Sequence, residues 1–149
     1  MKPAGLIICE QTRRWTVAVR HALRLGGKAM PAVTLYQVRR LAEIDEPLQE
    51  APGSIVAVEV TSANLSGVLS WLSRLEQRDR WARSVALVTP EVVAQQSMLR
   101  EAGARLAITS PRHVEPLIDF VTWHITRVPT PQQTESERIR SRLPWNKTL

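Results

Sequence analysis

A lone carboxylate closes the most apolar stretch of the chain. In Ser54-Ile-Val-Ala-Val-Glu-Val-Thr61, five small or apolar residues run into Glu59 without the alternation of a half-exposed strand. That pattern predicts a buried central strand with an acid at its carboxyl end, where open α/β sheets place their chemistry. Other short apolar runs also end on reactive groups. Gly5-Leu-Ile-Ile-Cys9 ends at Cys9 and Glu10, Ser84-Val-Ala-Leu-Val88 leads to Thr89, and Arg105-Leu-Ala-Ile-Thr109 leads to Ser110. One sheet edge would therefore gather Cys9, Glu10, Glu59, Thr61, Thr89 and Ser110.

The elements between these runs must position them. Thr12 offers a cap for a helix to about Leu25, with Trp15, Ala18, Ala22 and Leu25 on its apolar face and Gly26-Gly27 as its stop. Ala32 to Tyr36 reads as a second strand, and Val38 to Leu48 as a helix with Pro47 near its end. Its basic residues come early and its acids late, against the helix dipole. Ala51-Pro-Gly53 is a turn. Leu65, Val68, Leu69, Leu72 and Leu75 form the cleanest amphipathic stripe, with Asn64 as its cap. Helices are also expected from Glu91 to Ala102 and along Val114, Leu117, Ile118, Val121 and Ile125. Five strands alternating with five helices imply an α/β, doubly wound parallel sheet with helices on both faces. Residues 1–128 form this domain, and 129–149 read as a flexible basic tail in which Arg138, Arg140, Arg142 and Trp145 make a candidate docking motif.

The chain has 149 residues, is 44% hydrophobic and carries a single cysteine, which fits one globular domain and excludes an internal disulfide. No apolar run is long enough for a membrane span or a secretory signal, so the cytoplasm is the expected compartment. A net charge of +6 raises the question of nucleic acid. Arg13, Arg20 and Arg24 would share one face of the first helix, but basic residues are scattered and no helix-turn-helix is evident. His21, His113 and His124 lack metal-ligand spacing, and neither GxGxxG nor a P-loop occurs. No metal and no cofactor is expected. Cys9, beside acids at a strand end, is expected to be inert.

The order and spacing of these groups resemble the receiver domain of bacterial response regulators, from about Leu6 to Val128. An acidic position closes strand one at Cys9-Glu10, an acid closes strand three at Glu59, and Gly67 follows eight residues later. A hydroxyl closes strand four at Thr89, and a residue before proline closes strand five at Ser110-Pro111. The resemblance implies a flavodoxin-like sheet of order 2-1-3-4-5. Receivers hold Mg2+ on two acids after strand one and phosphorylate an aspartate after strand three. A hydroxyl and a lysine bind the phosphoryl oxygens, so that metal and cation neutralise its charge.

This chain departs from that pattern at the reactive positions. Cys9 is a poor Mg2+ ligand. Glu59 stands in place of aspartate, and its extra methylene moves the carboxylate by ~1.5 Å. Ser110 replaces the lysine, and Ala107 the aromatic switch residue. Only Glu10 and Thr89 of the reactive set remain. The resemblance is therefore to a degenerate receiver, a pseudo-receiver, not an enzyme, acting as a protein-interaction module in signalling or regulation. Glu59 is expected either to bond to Thr89 or Ser110, or to imitate a phosphoryl charge. By the same resemblance the contact face spans Glu91 to Arg127, with Gln95, Gln96, Arg100, Asp119 and Trp123 exposed, and a homodimer through the last helix and strand five is possible. The family's bond at Ser110-Pro111 is often cis, so a cis peptide is a further expectation. The rival readings are an atypical phosphorylatable or Mg-binding receiver, and a nucleic-acid-associated protein using the basic first helix and tail. A flavodoxin shares the sheet order but needs a phosphate loop that Glu10-Gln-Thr-Arg-Arg14 does not supply, and a cobalamin-binding motif is absent.

Overall fold

The computed structural model describes residues 2–26 and 32–129. Strands β1 (Leu6–Cys9), β2 (Leu35–Val38), β3 (Ile55–Val60), β4 (Arg83–Val88) and β5 (Ala104–Ile108) form one sheet of order β2-β1-β3-β4-β5. Every neighbouring pair is parallel. Helices α1 (Arg14–Leu25), α2 (Asp45–Glu50), α3 (Leu65–Arg78), α4 (Gln96–Glu101) and α5 (Glu115–Ile125) alternate with the strands. The expected α/β architecture and strand order are both present.

Alternation along the strands divides the core. Ile7, Val56, Val58, Val60, Ala86 and Val88 face Leu48 of α2, Leu99 of α4 and the α3 residues Val68, Trp71, Leu72 and Leu75. Leu6, Ile8, Ile55, Ala57, Val85 and Leu87 face Trp15 and Val19 of α1 and Leu117, Ile118 and Val121 of α5. Glu59 follows Ile55 and Ala57 by the same period of two, so its side chain leaves the sheet on the α1 side. Glu10 likewise follows Leu6 and Ile8.

The second crossover differs most from the sequence expectation. β2 extends to Val38, which pairs with Cys9, so residues 38–40 are not helical. A 3-10 turn covers Leu41–Glu43, and α2 begins only at Asp45. Pro47 lies in the first turn of α2 rather than near its end, where its missing N–H costs no helical bond. Asp45 and Glu46 thereby lie at the positive end of the helix dipole, so the charge order suits the helix that forms. The fourth connection is also shorter in α-helix than expected: Pro90–Gln95 is a 3-10 helix that passes into α4.

Smaller corrections have local causes. Leu25 is 75% exposed and does not join the apolar face of α1. Gly67 lies inside α3, and a Cβ there would meet only Leu41 at 3.7 Å, so nothing at that position demands glycine. Among the described residues every peptide bond is trans, Ser110–Pro111 included. Gly53 does need glycine: its φ is +79°, and a Cβ would come within 2.7 Å of Val128. Residues 130–149, with Arg138, Arg140, Arg142 and Trp145, lie outside the described residues.

Candidate functional site

Helices antiparallel to the strands bring their first turns to the carboxyl edge of the sheet. There Glu10 is 2% exposed and turned into the start of α1. One carboxylate oxygen accepts the Trp15 N–H at 3.1 Å, and the other accepts the Thr16 N–H at 2.9 Å and the Thr16 hydroxyl at 3.2 Å. These amides are among those a helix leaves unpaired at its start. Glu10 therefore caps α1 from the preceding loop, in place of the expected Thr12; the N-cap position itself is Arg13, which makes no side-chain cap bond. Burial raises the Glu10 pKa above its ordinary value, and the three bonds to α1 oppose that rise.

Glu59 does not reach Thr89 or Ser110 in the way anticipated. Its Oε2 accepts the indole N–H of Trp15 at 2.8 Å. Trp15 is fully buried between the sheet and α1, and a buried indole N–H requires an acceptor. The Thr89 hydroxyl donates instead to the Val60 carbonyl at 2.9 Å, and Ser110 Oγ accepts the Arg112 N–H at 3.2 Å. From the sequence alone, Trp15 is simply one of the apolar residues of α1. The signal for more was chemical: its N–H had to find a partner, and the acids ending β1 and β3 were the groups at hand.

The loop after Glu59 is closed by its own polar groups. Asn64 Nδ2 donates to the Glu59 carbonyl at 2.8 Å, while Asn64 Oδ1 accepts the Thr61 N–H at 2.7 Å. Asn64 thus ties the β3–α3 loop and makes no side-chain cap bond to α3. Cys9 faces the α3 side of the core, and its thiol is pushed up to about 12, by burial first and then by Glu43, Glu59 and Glu10. At neutral pH it is a protonated, buried thiol.

A cleft of about 370 Å3 opens at this edge, lined by Cys9, Glu10, Arg39, Arg40, Glu59 and Asn64 among others. Thr89 and Ser110 are not in its lining. The cationic groups come from Arg39 and Arg40, which lie before the 3-10 turn and not in the helix that the sequence suggests. The structure brings Cys9, Glu10, Glu59 and Thr61 to one cleft and leaves Thr89 and Ser110 beside it. Among the described residues no cluster of three or more His, Cys, Asp or Glu could hold a metal ion.

Of the anticipated contact face, Arg100, Asp119 and Trp123 are exposed. Gln95 and Gln96 are half-buried, because they sit where the 3-10 helix turns into α4, and Gln95 Oε1 is buried without a partner. His21 and His113 are exposed and separate. His124 is buried in α5, where its Nε2–H donates to the Gly53 carbonyl at 2.7 Å and pins that helix to the turn before β3. Arg13, Arg20 and Arg24 are all exposed.

No protein-family model and no curated protein sequence matches the chain. Solved structures do. A response regulator from Thermotoga maritima superposes with a TM-score of 0.65 at 17% identity, covering 84% of this chain and 99% of that one. The fold is receiver-like. A CheY-like protein (tadZ) from Pseudomonas aeruginosa PAO1 gives 0.61 at 15% identity, over 88% of this chain and 100% of that one. A response regulator receiver domain from Rhodospirillum rubrum gives 0.57 at 13% identity, over 87% and 99%. At these identities the likeness is one of fold, and the chemistry rests on the residues of this receiver-like chain itself. No helix among the described residues is long and apolar enough to cross a membrane.

Proposed function

We propose that this chain is a phosphorylation-independent receiver-like module whose work is to bind another protein in signalling or regulation. The observation that carries the reading is the state of Glu10. Both of its oxygens are committed to the first turn of α1, and the group is almost wholly removed from solvent. To hold Mg2+ it would have to surrender those bonds and uncap the helix. Glu59 is tied through Oε2 to the Trp15 indole. Glu10 is therefore not poised as a metal ligand, a glutamate stands at 59 where the receivers that the chain resembles carry aspartate, and position 110 supplies no cation for a transferring phosphoryl group. What remains is an α/β body with exposed side chains on α4 and α5, including Arg100, Asp119 and Trp123.

The test is a titration with Mg2+ followed by beryllofluoride, a phosphoryl mimic, read by backbone amide NMR shifts. The module reading expects no saturable change at Glu10, Glu59, Thr89 or Ser110 in a folded spectrum. Saturable shifts clustered at those residues would overturn it in favour of an atypical phospho-receiver.

A further inference from the structure

At the amino edge of the sheet, opposite the acids, lies a groove of about 330 Å3. Trp81, Arg83, Arg105, Phe120, Trp123 and Arg127 line it, drawn from the α3–β4 loop, the first residues of β4 and β5, the last turns of α5 and the turn just after it. Its apolar groups are open to solvent: Trp123 is 52% exposed and Trp81 42%. Its floor is fixed, because His124 is bonded to Gly53 beneath it.

The charge in the groove is one-sided. Arg83 donates to the carbonyls of Arg80 and Ala82, both at 2.9 Å, and Arg127 to the Trp123 carbonyl at 3.1 Å. Neither meets a carboxylate within 4.0 Å among the described residues. Arg105 has one long, exposed contact with Glu76 at 3.8 Å, the kind that contributes little. The nearby carboxylate of Asp79 is already taken by the N–H groups of Gly53, Trp81 and Ala82. Arg83 and Arg127 thus stand beside exposed aromatic surface with no carboxylate partner among the described residues, and Arg105 with only a long, exposed one.

We infer that this groove docks an acidic peptide segment of a partner protein, an apolar or aromatic side chain filling it while flanking carboxylates meet Arg83, Arg105 and Arg127. Charge complementarity selects the occupant. The chain's own segment 130–149 is a poor match, since it carries four basic residues against two acidic ones. A stacked nucleobase is also disfavoured. The Arg127 guanidinium already covers the Trp123 ring at 4.2 Å, Phe120 stacks on the same ring at 6.3 Å, and Arg80 lies 5.7 Å over Trp81. Those contacts occupy the ring faces that base stacking needs. The inference adds a site and a partner chemistry to the module reading. It does not require the acid site to be silent, so the beryllofluoride test and this one can fail separately.

The test uses the full chain and a capped heptapeptide, Glu-Asp-Glu-Leu-Phe-Asp-Glu, followed by the indole and backbone amide resonances. Saturable shifts are expected at Trp81, Trp123 and the start of β5. The isosteric Gln/Asn peptide should bind at least about tenfold more weakly, the scale of losing charge-assisted contacts. Arg105→Glu combined with Arg127→Glu should abolish the shifts while leaving the rest of the spectrum folded; since both side chains are exposed, folding should survive. Three results would overturn the proposal: equal binding of the neutral peptide, shifts spread over Arg13, Arg20 and Arg24 instead, or displacement of the peptide by oligo-dT at lower concentration than the peptide itself requires. A fourth would be movement of the Trp81 and Trp123 indoles by Trp145→Ala without any peptide, which would assign the groove to the chain's own tail.

Discussion

At the carboxyl edge Glu10 gives both oxygens to the first turn of α1 and Glu59 takes the Trp15 indole, whereas at the amino edge Arg83, Arg105 and Arg127 surround exposed rings and meet carboxylates weakly or not at all. The first edge is where receiver-like folds do chemistry, and here its polar groups hold the protein together. The second has no such history in the sequence pattern, yet its groups are the ones left free to act. Satisfied polar groups are structural capital, while unsatisfied exposed charge beside apolar surface has most to gain from a partner.

The sharpest way to break this contrast is at Trp15. Trp15→Ala should destabilise the fold by about 3–5 kcal/mol, since it empties a fully buried site and strands Glu59; urea denaturation measures it. Trp15→Phe keeps most of the packing and removes the indole N–H, so a loss of about 1.5–3 kcal/mol is expected for a bond to a charged acceptor. If Trp15→Phe were neutral, Glu59 would not be structurally committed, and the contrast between the edges would weaken. Glu10→Ala should follow, at about 1 kcal/mol for the lost cap of α1, with faster hydrogen exchange at the Trp15 and Thr16 amides as its specific signature.

A pH series separates the two edges without mutation. Burial lowers the His124 pKa from its ordinary 6.5. Its contribution to stability should be complete above 6.5, fall as pH drops through the lowered folded value, and level off below it. Glu10 acts in the opposite sense: its raised folded pKa means stability that is complete below 4.5 and is lost as pH rises through the folded value. Urea midpoints across this range, compared with His124→Gln and Glu10→Gln, should lose the first and the second slope respectively. The smallest effect belongs to the exposed groove. Trp123→Ala should change stability by no more than about 0.5 kcal/mol while removing peptide binding. A large loss of stability there would mean that Trp123 is a packing residue and not a contact.

Much of the fold was legible in short runs. Ile55 to Val60 reads as a buried strand because both faces are covered, and the α3 stripe falls on a helical period because one face is. The boundaries that misled were those where two readings of one residue compete. A helix over Val38 to Leu48 puts Pro47 near its end, yet proline in a first turn costs no helical bond, and the strand pairing of Val38 with Cys9 settles where β2 stops. The site was legible as a set of positions. Glu10 and Glu59 could be placed at strand ends by counting, and the serine at position 110 needed no structure.

The sequence by itself determined the sheet, its alternation with helices, and the chemical identity of the groups at each strand end, because hydrophobic periodicity and residue type are local properties. Only the tertiary structure decided what those groups hold. A hydrogen bond from Trp15 to Glu59 spans 44 positions, and the groove unites Trp81 of a loop, Arg105 of a strand and Trp123 of a helix. Which donor meets which acceptor depends on how helices are laid across a twisted sheet, and that arrangement is fixed by packing between segments far apart in the chain.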